Sequence, residues 1–372
     1  MTWRPSGSKS VEDAGVPTPA PSSVAPSSVP SSVARPDRSP VHIARWDLDK
    51  TYLRTDFDTV RDLVRTAFER ADEKRANPGA AALLRELQSA GAEVHVLSGS
   101  PEQMRRRLAA KLRLDGVNYA SLTLKPSLEN LMRLRFRSLR GQLGYKLPTL
   151  LTMRAHVEPA VHETLVGDDA EADAFIYALY ADLCAGTVGV DALEEVMRLD
   201  RCHPEEIADA VRSMRWIGKG PVVDRILIHL DRQTPPGEFS AHGARLVPFY
   251  NYFQAALVLH EDGRIPADAV LRVGTDLVLQ HRFDGDALVR SFLELARRGH
   301  LSGSGLDDLV AALGRWPKSG GDARAAFGLD EVHALASRHD ELRGAVEARP
   351  SLGAPHVDYV ALVEAHNRRR RR

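Results

Sequence analysis

Two aspartates separated by one residue follow a short β-prone segment near the start of the chain. The run Val41-His42-Ile43-Ala44-Arg45-Trp46 leads into Asp47-Leu48-Asp49-Lys50-Thr51. A carboxylate at a strand end can attack phosphorus and carry the phosphoryl group as an aspartyl-phosphate. A second carboxylate two residues on can protonate the leaving oxygen and then activate water. The spacing of Asp47 and Asp49 therefore indicates phosphoryl-transfer chemistry.

Two further polar clusters also follow apolar runs. Ser98-Gly99-Ser100-Pro101 comes directly after Glu93–Leu97, and Gly167-Asp168-Asp169 comes after Glu163–Val166. A serine hydroxyl and the backbone N–H groups at Gly99 can hold phosphoryl oxygens, and paired aspartates supply the oxygen ligands that Mg²⁺ prefers. Each cluster alone is also typical of an ordinary turn or helix cap. Their common order with Asp47 and Asp49 favours the functional interpretation.

Carboxylates gathered around a phosphate dianion repel one another, so the site requires a cation and a lysine. Lys146 is the first candidate, because we expect it to open a helix that precedes the strand leading to Asp168. Lys125, which follows Leu122-Thr123-Leu124, is the alternative. An ordinary surface lysine remains the simpler interpretation of either residue.

Alternating short strands and helices in the first half of the chain predict βαβ units and a parallel sheet. Apolar spacing predicts helices at about 56–75, 79–90 and 102–113, between the strands that end at Asp47, Ser98 and Asp168. The carboxyl ends of parallel strands share one edge of a sheet, where ligands bind. The three polar clusters are therefore expected to meet there.

The chain divides into four regions that differ in composition and in the spacing of apolar residues. Pro-Ser-Ser-Val occurs at 21–24, 26–29 and 30–33 in a segment too poor in apolar bulk to fold. After about residue 187 the pattern becomes mostly helical, with candidate helices that include 221–231 and 245–260. We therefore predict a disordered tail (1–40), a Rossmann-like α/β domain with helices on both faces of its sheet (41–187), an all-α domain (188–366) and a basic tail (367–372).

Composition narrows the class of protein. The 372 residues include 50 Lys and Arg against 50 Asp and Glu, so the net charge of zero argues against a surface built entirely for nucleic acid. Two cysteines, Cys184 and Cys202, exclude a disulfide framework. The sequence contains neither a run of ~18 apolar residues that could span a bilayer nor an apolar signal segment. These features together lead us to expect a cytoplasmic protein.

The motif set resembles the haloacid dehalogenase superfamily. The matching residues are Asp47–Thr51, Ser98, Lys146, and Gly167-Asp168-Asp169 with Asp173. The resemblance implies a nucleophilic Asp47, Asp49 as acid and base, and phosphoryl binding by Ser98, Gly99 and Lys146. It also implies Mg²⁺ held by Asp47, the Asp49 backbone carbonyl and Asp168, with Asp169 and Asp173 close by and Thr51 in support.

Within that superfamily, Pro78-Gly79 and Ser98-Gly99-Ser100-Pro101 most resemble the actin-patch-type phosphatidate phosphatase catalytic domain. The short interval between Thr51 and Ser98 agrees with the small or absent cap of such domains. The resemblance implies a phosphorylated substrate, either a small molecule or a lipid headgroup, in an open site.

Arginine-rich stretches leave alternatives open. Arg105-Arg106-Arg107 and the segment from Arg133 to Arg140 fit an anionic membrane surface, a nucleic acid or a solvated helix face. The alternative functions are a phosphatase for nucleic-acid ends or phosphoproteins, and a non-catalytic scaffold that uses its helical domain.

Overall fold

A computed structural model of the chain describes residues 42–54, 75–125, 139–316, 328, 330–348 and 357–371. The predicted tail (1–40), nearly all of the predicted helix at 56–75 and the stretch from Arg133 to Arg137 lie outside these residues. Among the described residues, no helix has both the length and the apolar composition needed to cross a membrane.

Six parallel strands form one sheet with the order β3-β2-β1-β4-β5-β6. The strands are β1 (His42–Asp47), β2 (Ala92–Pro101), β3 (Ser121–Lys125), β4 (His162–Asp168), β5 (Val223–His229) and β6 (Leu246–Phe249). The predicted α/β fold is therefore confirmed. Because β2 and β4 flank β1 on opposite sides, the strand order reverses there, and a crevice is expected beyond the carboxyl end of β1.

Helices cover both faces of this sheet and make up most of the C-terminal region. They are α1 (Ala80–Ser89), α2 (Arg105–Leu114), α3 (Leu139–Ala155), α4 (Asp173–Ala185), α5 (Val190–Leu199), α6 (Pro204–Met214), α7 (Tyr252–Glu261), α8 (Ala267–His281), α9 (Gly285–Arg297), α10 (Gly303–Arg315), α11 (Ala334–Ser337), α12 (His339–Glu347) and α13 (Tyr359–Arg371). Helices α1, α2 and α7–α12 pack on one face, whereas α3–α6 and α13 pack on the other.

Strand β1 shows why the sheet is buried on both faces. All six of its residues are buried, and Trp46 joins the core formed with α1, α2 and α7–α12. Arg45 points to the other face, where Glu163 accepts hydrogen bonds of 2.7 and 2.6 Å from its guanidinium. Arg154 and Tyr180 also donate to Glu163, at 3.1 and 2.8 Å. The buried ion pair is thus hydrogen-bonded on several sides, as an ionic group removed from water requires.

The sheet continues beyond residue 187, so the expectation of helices alone from 188 to 366 is wrong at two places. The segment predicted as a helix at 221–231 contains β5, and the segment 245–260 contains β6 before α7 begins. In β5, Ile226 and Ile228 face one core while Leu227 faces the other. A strand buried on both faces loses the alternation that would have identified it in the sequence.

One smaller expectation also needs correction, and most of the basic tail is helical. Lys146 does not open a helix, because α3 begins at Leu139 and places Lys146 in its interior. Helix α13 runs to Arg371 and so includes most of the predicted basic tail.

Candidate active site

The carboxyl edge of the sheet brings together the clusters that the sequence singled out. Asp47 ends β1, Ser98 lies near the end of β2 and Asp168 ends β4. All three side chains belong to residues that are completely buried. A helix starts soon after each of β2 and β4, so the polar residues lie in the crevice expected at a reversal of strand order.

Asp47 is held by a lysine and a hydroxyl group. Its Oδ1 accepts a hydrogen bond of 2.9 Å from Lys146 Nζ, and its Oδ2 accepts one of 3.2 Å from Thr51 Oγ1. The Thr51 hydroxyl also lies 3.4 Å from Asp168 Oδ2. Thr51 therefore bridges the ends of two neighbouring strands.

Lys146 contacts three carboxylates at once. Its Nζ lies 2.9 Å from Asp47, 2.9 Å from Glu171 and 2.5 Å from Asp173. Burial alone would lower the pKa of Lys146, but the charges of Asp173, Asp47 and Glu171 raise it well above its usual value. The lysine is therefore a fixed positive charge. Glu171 was missed by the sequence analysis, although its place between Asp168 and Asp173 in one loop was the available signal.

Four carboxylates form a group that fits a metal ion. One oxygen from each of Asp47, Asp168, Glu171 and Asp173 lies within 4.8 Å of the others. Burial raises the pKa of Asp168 well above its usual value, and the charges of Glu171 and Asp173 add to this effect. One ammonium cannot balance four carboxylates, three of them buried, and an all-oxygen donor set suits a hard divalent cation. The residues present therefore fit Mg²⁺.

Asp49 is oriented by two serines. Ser98 Oγ and Ser100 Oγ each donate a 2.8 Å hydrogen bond to Asp49 Oδ2. The other oxygen, Oδ1, is buried and has no hydrogen-bond partner among the described residues. Burial also raises the pKa of Asp49. One oxygen is thus anchored while the other is available for proton transfer.

Ser98 and Gly99 lie near the carboxyl end of β2, at the same edge of the sheet as Asp47. Ser98 Oγ donates to Asp49 and accepts a 2.9 Å bond from the Ser100 backbone N–H. A Cβ at Gly99 would lie 3.6 Å from the Gln142 amide, an ordinary van der Waals distance, so this turn packs beside α3.

Asp169 does not join the acidic group. Its two carboxylate oxygens accept 2.8 and 3.0 Å bonds from the backbone N–H groups of Arg232 and Thr234, in the turn after β5. Adjacent residues at a strand end point in opposite directions, so Asp168 and Asp169 cannot both face the crevice. Asp173 does face it, and a Cβ at Gly167 would collide with the Asp173 side chain.

The structure also shows that the two candidate lysines have different surroundings. Lys146 contacts Asp47, whereas Lys125 Nζ lies over the ring of Tyr145, 5.4 Å from its centroid. Arg105, from the first arginine stretch, pairs with Glu102 and donates a 2.6 Å bond to the Leu122 carbonyl. Neither Lys125 nor Arg105 is part of the acidic group.

The fold and the site agree with the resemblance noted in the sequence. A parallel sheet with an acidic, lysine-containing crevice beyond β1 is the arrangement that the haloacid dehalogenase resemblance implies. Residues 46–190 match the family model described as the catalytic domain of phosphatidate phosphatase APP1, which confirms the resemblance over that part of the chain. No curated protein matches the chain. The family match ends before β5, so the last two strands of the sheet lie outside it.

Proposed function

We propose that this protein is a Mg²⁺-dependent phosphohydrolase that cleaves a phosphomonoester through an aspartyl-phosphate on Asp47. One observation carries the proposal: the buried Asp47 carboxylate lies 2.9 Å from Lys146 Nζ, within a group of four carboxylates. A divalent cation bound by this group would neutralise charge on the phosphoryl oxygens. Asp47, Asp168, Glu171 and Asp173 are the residues that would hold it.

Asp49 carries out both proton transfers of the proposed reaction. When an Asp47 oxygen bonds to phosphorus, the bond from phosphorus to the leaving oxygen breaks, and Asp49 gives that oxygen its proton. Asp49 then takes a proton from water, which attacks the phosphoryl group and releases phosphate and free Asp47. The raised pKa of Asp49 favours the protonated form that the first step needs. Its anchoring by Ser98 and Ser100 leaves Oδ1 to carry the proton.

The surrounding residues position the phosphoryl group. Lys146 offsets negative charge beside Asp47, and its three carboxylate contacts fix the ammonium in place. Ser98 and the backbone of Gly99 would supply further donors near the end of β2. To reach a phosphoryl oxygen, the Ser98 hydroxyl would turn away from Asp49.

For the substrate, we propose a phosphatidate-type lipid phosphomonoester. The support is the match of residues 46–190 to a family described by phosphatidate phosphatase activity. Rates on phosphatidate in mixed vesicles, a 5′-phosphorylated oligonucleotide and a phosphopeptide would test it. We expect the highest kcat/KM on the lipid, and a higher value on either of the other substrates would contradict the lipid assignment.

The reaction class is tested by Asp47→Asn, a nearly isosteric change. With an aryl phosphate and Mg²⁺, this variant should lose phosphate release and the hydroxylamine-labile phosphoprotein that the wild type forms. Asp224→Asn is the matched control, because Asp224 pairs with Arg264 and His162 at the opposite end of the sheet. An Asp47→Asn variant with wild-type turnover would show that another residue attacks phosphorus.

A further inference from the structure

The loop that follows Asp47 folds back on itself in a conformation that needs outside support. The backbone N–H groups of Tyr52 and Leu53 both donate to the Leu48 carbonyl, at 3.0 and 2.8 Å. Lys50 has a φ of 60°, in the left-handed region that a lysine rarely adopts. This loop, Leu48–Leu53, carries both Asp49 and Thr51. Its tight closure leaves the carbonyls of Lys50 and Thr51 to find partners elsewhere.

Three side chains supply those partners. Asn77 Nδ2 donates to the carbonyls of both Lys50 and Thr51, at 2.8 and 2.6 Å. His229 Nδ1 donates to Lys50 O at 3.1 Å, and Tyr252 Oη donates to Thr51 O at 2.7 Å. Two consecutive carbonyls therefore accept four hydrogen bonds. His229 and Tyr252 lie beyond residue 190, in the part of the chain that the family match does not cover.

Tyr252 is itself held rigidly. Its ring stacks on Trp46 at a centroid distance of 5.9 Å and meets Phe249 edge-on at 5.1 Å. His229 lies 5.5 Å from Tyr252. Gly79 has a φ of +81°, and a Cβ there would approach Tyr252 Cβ to 3.0 Å. The close approach of α1 to Tyr252 therefore requires a glycine at position 79. The ring of Tyr252 is held by contacts on several sides.

We propose that Tyr252 and His229 are positioning residues that, with Asn77, fix the Leu48–Leu53 loop for catalysis. The inference rests on the proposed function of Asp49. It also gives the region beyond residue 190 a role, since β5 and the start of α7 supply two of the three side chains that hold the loop. A displacement near 1 Å in a reacting group can reduce a rate by about 10². Loosening the loop should therefore lower kcat while substrate binding persists.

The test compares two Tyr→Phe substitutions in the full chain. Tyr252→Phe removes the hydroxyl that holds Thr51 O and keeps the ring that stacks on Trp46. Tyr359→Phe removes a hydroxyl that donates a 2.6 Å bond to Asp182 on the other face of the sheet. With an aryl phosphate and saturating Mg²⁺, we expect kcat to fall on the order of tenfold in Tyr252→Phe, with KM unchanged. Tyr359→Phe should keep wild-type kcat.

Hydrogen exchange gives a readout that does not depend on turnover. The amides of Tyr52 and Leu53 should exchange faster in Tyr252→Phe than in the wild type or in Tyr359→Phe. Wild-type kcat and exchange in Tyr252→Phe would overturn the inference, as would equal loss of kcat in both variants. If the wild type lacks phosphatase activity, the proposed function fails. Unchanged exchange at Tyr52 and Leu53 in Tyr252→Phe would then separately refute the proposal that Tyr252 fixes the Leu48–Leu53 loop.

Discussion

The Nζ of Lys146 lies 2.9 Å from Oδ1 of Asp47, and both side chains are fully buried. The two residues are 99 positions apart, so the sheet and α3 alone bring them together. The same ammonium also contacts Glu171 and Asp173, which tie it to the loop after β4. Lys146 therefore links the nucleophile to the group of carboxylates that fits a cation.

Replacing Lys146 should cost far more activity than replacing Lys125. Lys146→Met leaves three carboxylates without their shared ammonium, and we expect kcat to fall by about 10² or more. Lys125→Met removes a charge that lies over Tyr145, outside the acidic group, and most activity should remain. Steady-state rates on an aryl phosphate measure both. A larger loss in Lys125→Met would reverse the assignment of the two lysines.

Mg²⁺ should stabilise the folded protein through the acidic group. A ligand that binds only the native state at a concentration of 100 Kd adds about 2.7 kcal/mol to the free energy of unfolding. The midpoint of thermal unfolding should therefore rise with Mg²⁺ in the wild type. In Asp168→Asn, which lacks one of the four carboxylates, most of that rise should disappear. Equal Mg²⁺-induced shifts in the two proteins would place the cation elsewhere.

The strands that carry the site could be predicted because each is an apolar run that ends in polar residues. β1 and β4 follow this pattern, and their order along the chain was enough to place Asp47 and Asp168 at one edge. β5 could not be recognised, because Ile226, Leu227 and Ile228 are buried on alternating faces and show no polar alternation. Its parallel partner β4 is distant in sequence, so only the completed sheet defines it.

The contacts made by individual side chains were harder to predict. Asp168 and Asp169 are indistinguishable in sequence, yet the direction of the strand end sends one into the crevice and the other to the turn after β5. The partnership of Tyr252 with Thr51 joins residues 201 positions apart and leaves no local pattern. Such long-range contacts depend on how the helices pack.

Removing the Ser100 hydroxyl should impair Asp49 without unfolding the protein. Ser100→Ala leaves Ser98 as the single serine donor to Asp49 Oδ2, so the carboxyl group becomes less well oriented. We expect kcat on an aryl phosphate to fall on the order of tenfold. Ser89→Ala, which removes an exposed hydroxyl bonded to the Arg85 carbonyl, is the control. The same kcat in both variants would show that Ser100 has no part in orienting Asp49.

His42 should make the protein less stable as the pH falls from about 6.5 to about 4. Burial first, and then the nearby charge of Arg264, lower the pKa of this residue from 6.5 to about 4, although the charge of Asp224 opposes the shift. The ring stays neutral in the fold, where its Nε2 lies 2.9 Å from Thr164 Oγ1. Between these two pH values His42 binds a proton in the unfolded chain but not in the folded protein. The free energy of unfolding therefore loses up to about 3 kcal/mol as the pH falls through this window, and keeps its full value above it.

Denaturant unfolding of the wild type and His42→Gln at a series of pH values measures this contribution. Glutamine keeps a polar group beside Thr164 and does not titrate, so the difference in unfolding free energy between the two proteins isolates the histidine. That difference should be constant above pH 6.5 and should shift in favour of His42→Gln as the pH approaches 4. Parallel stability curves across the whole range would mean that the pKa of His42 in the fold is close to its value in the unfolded chain.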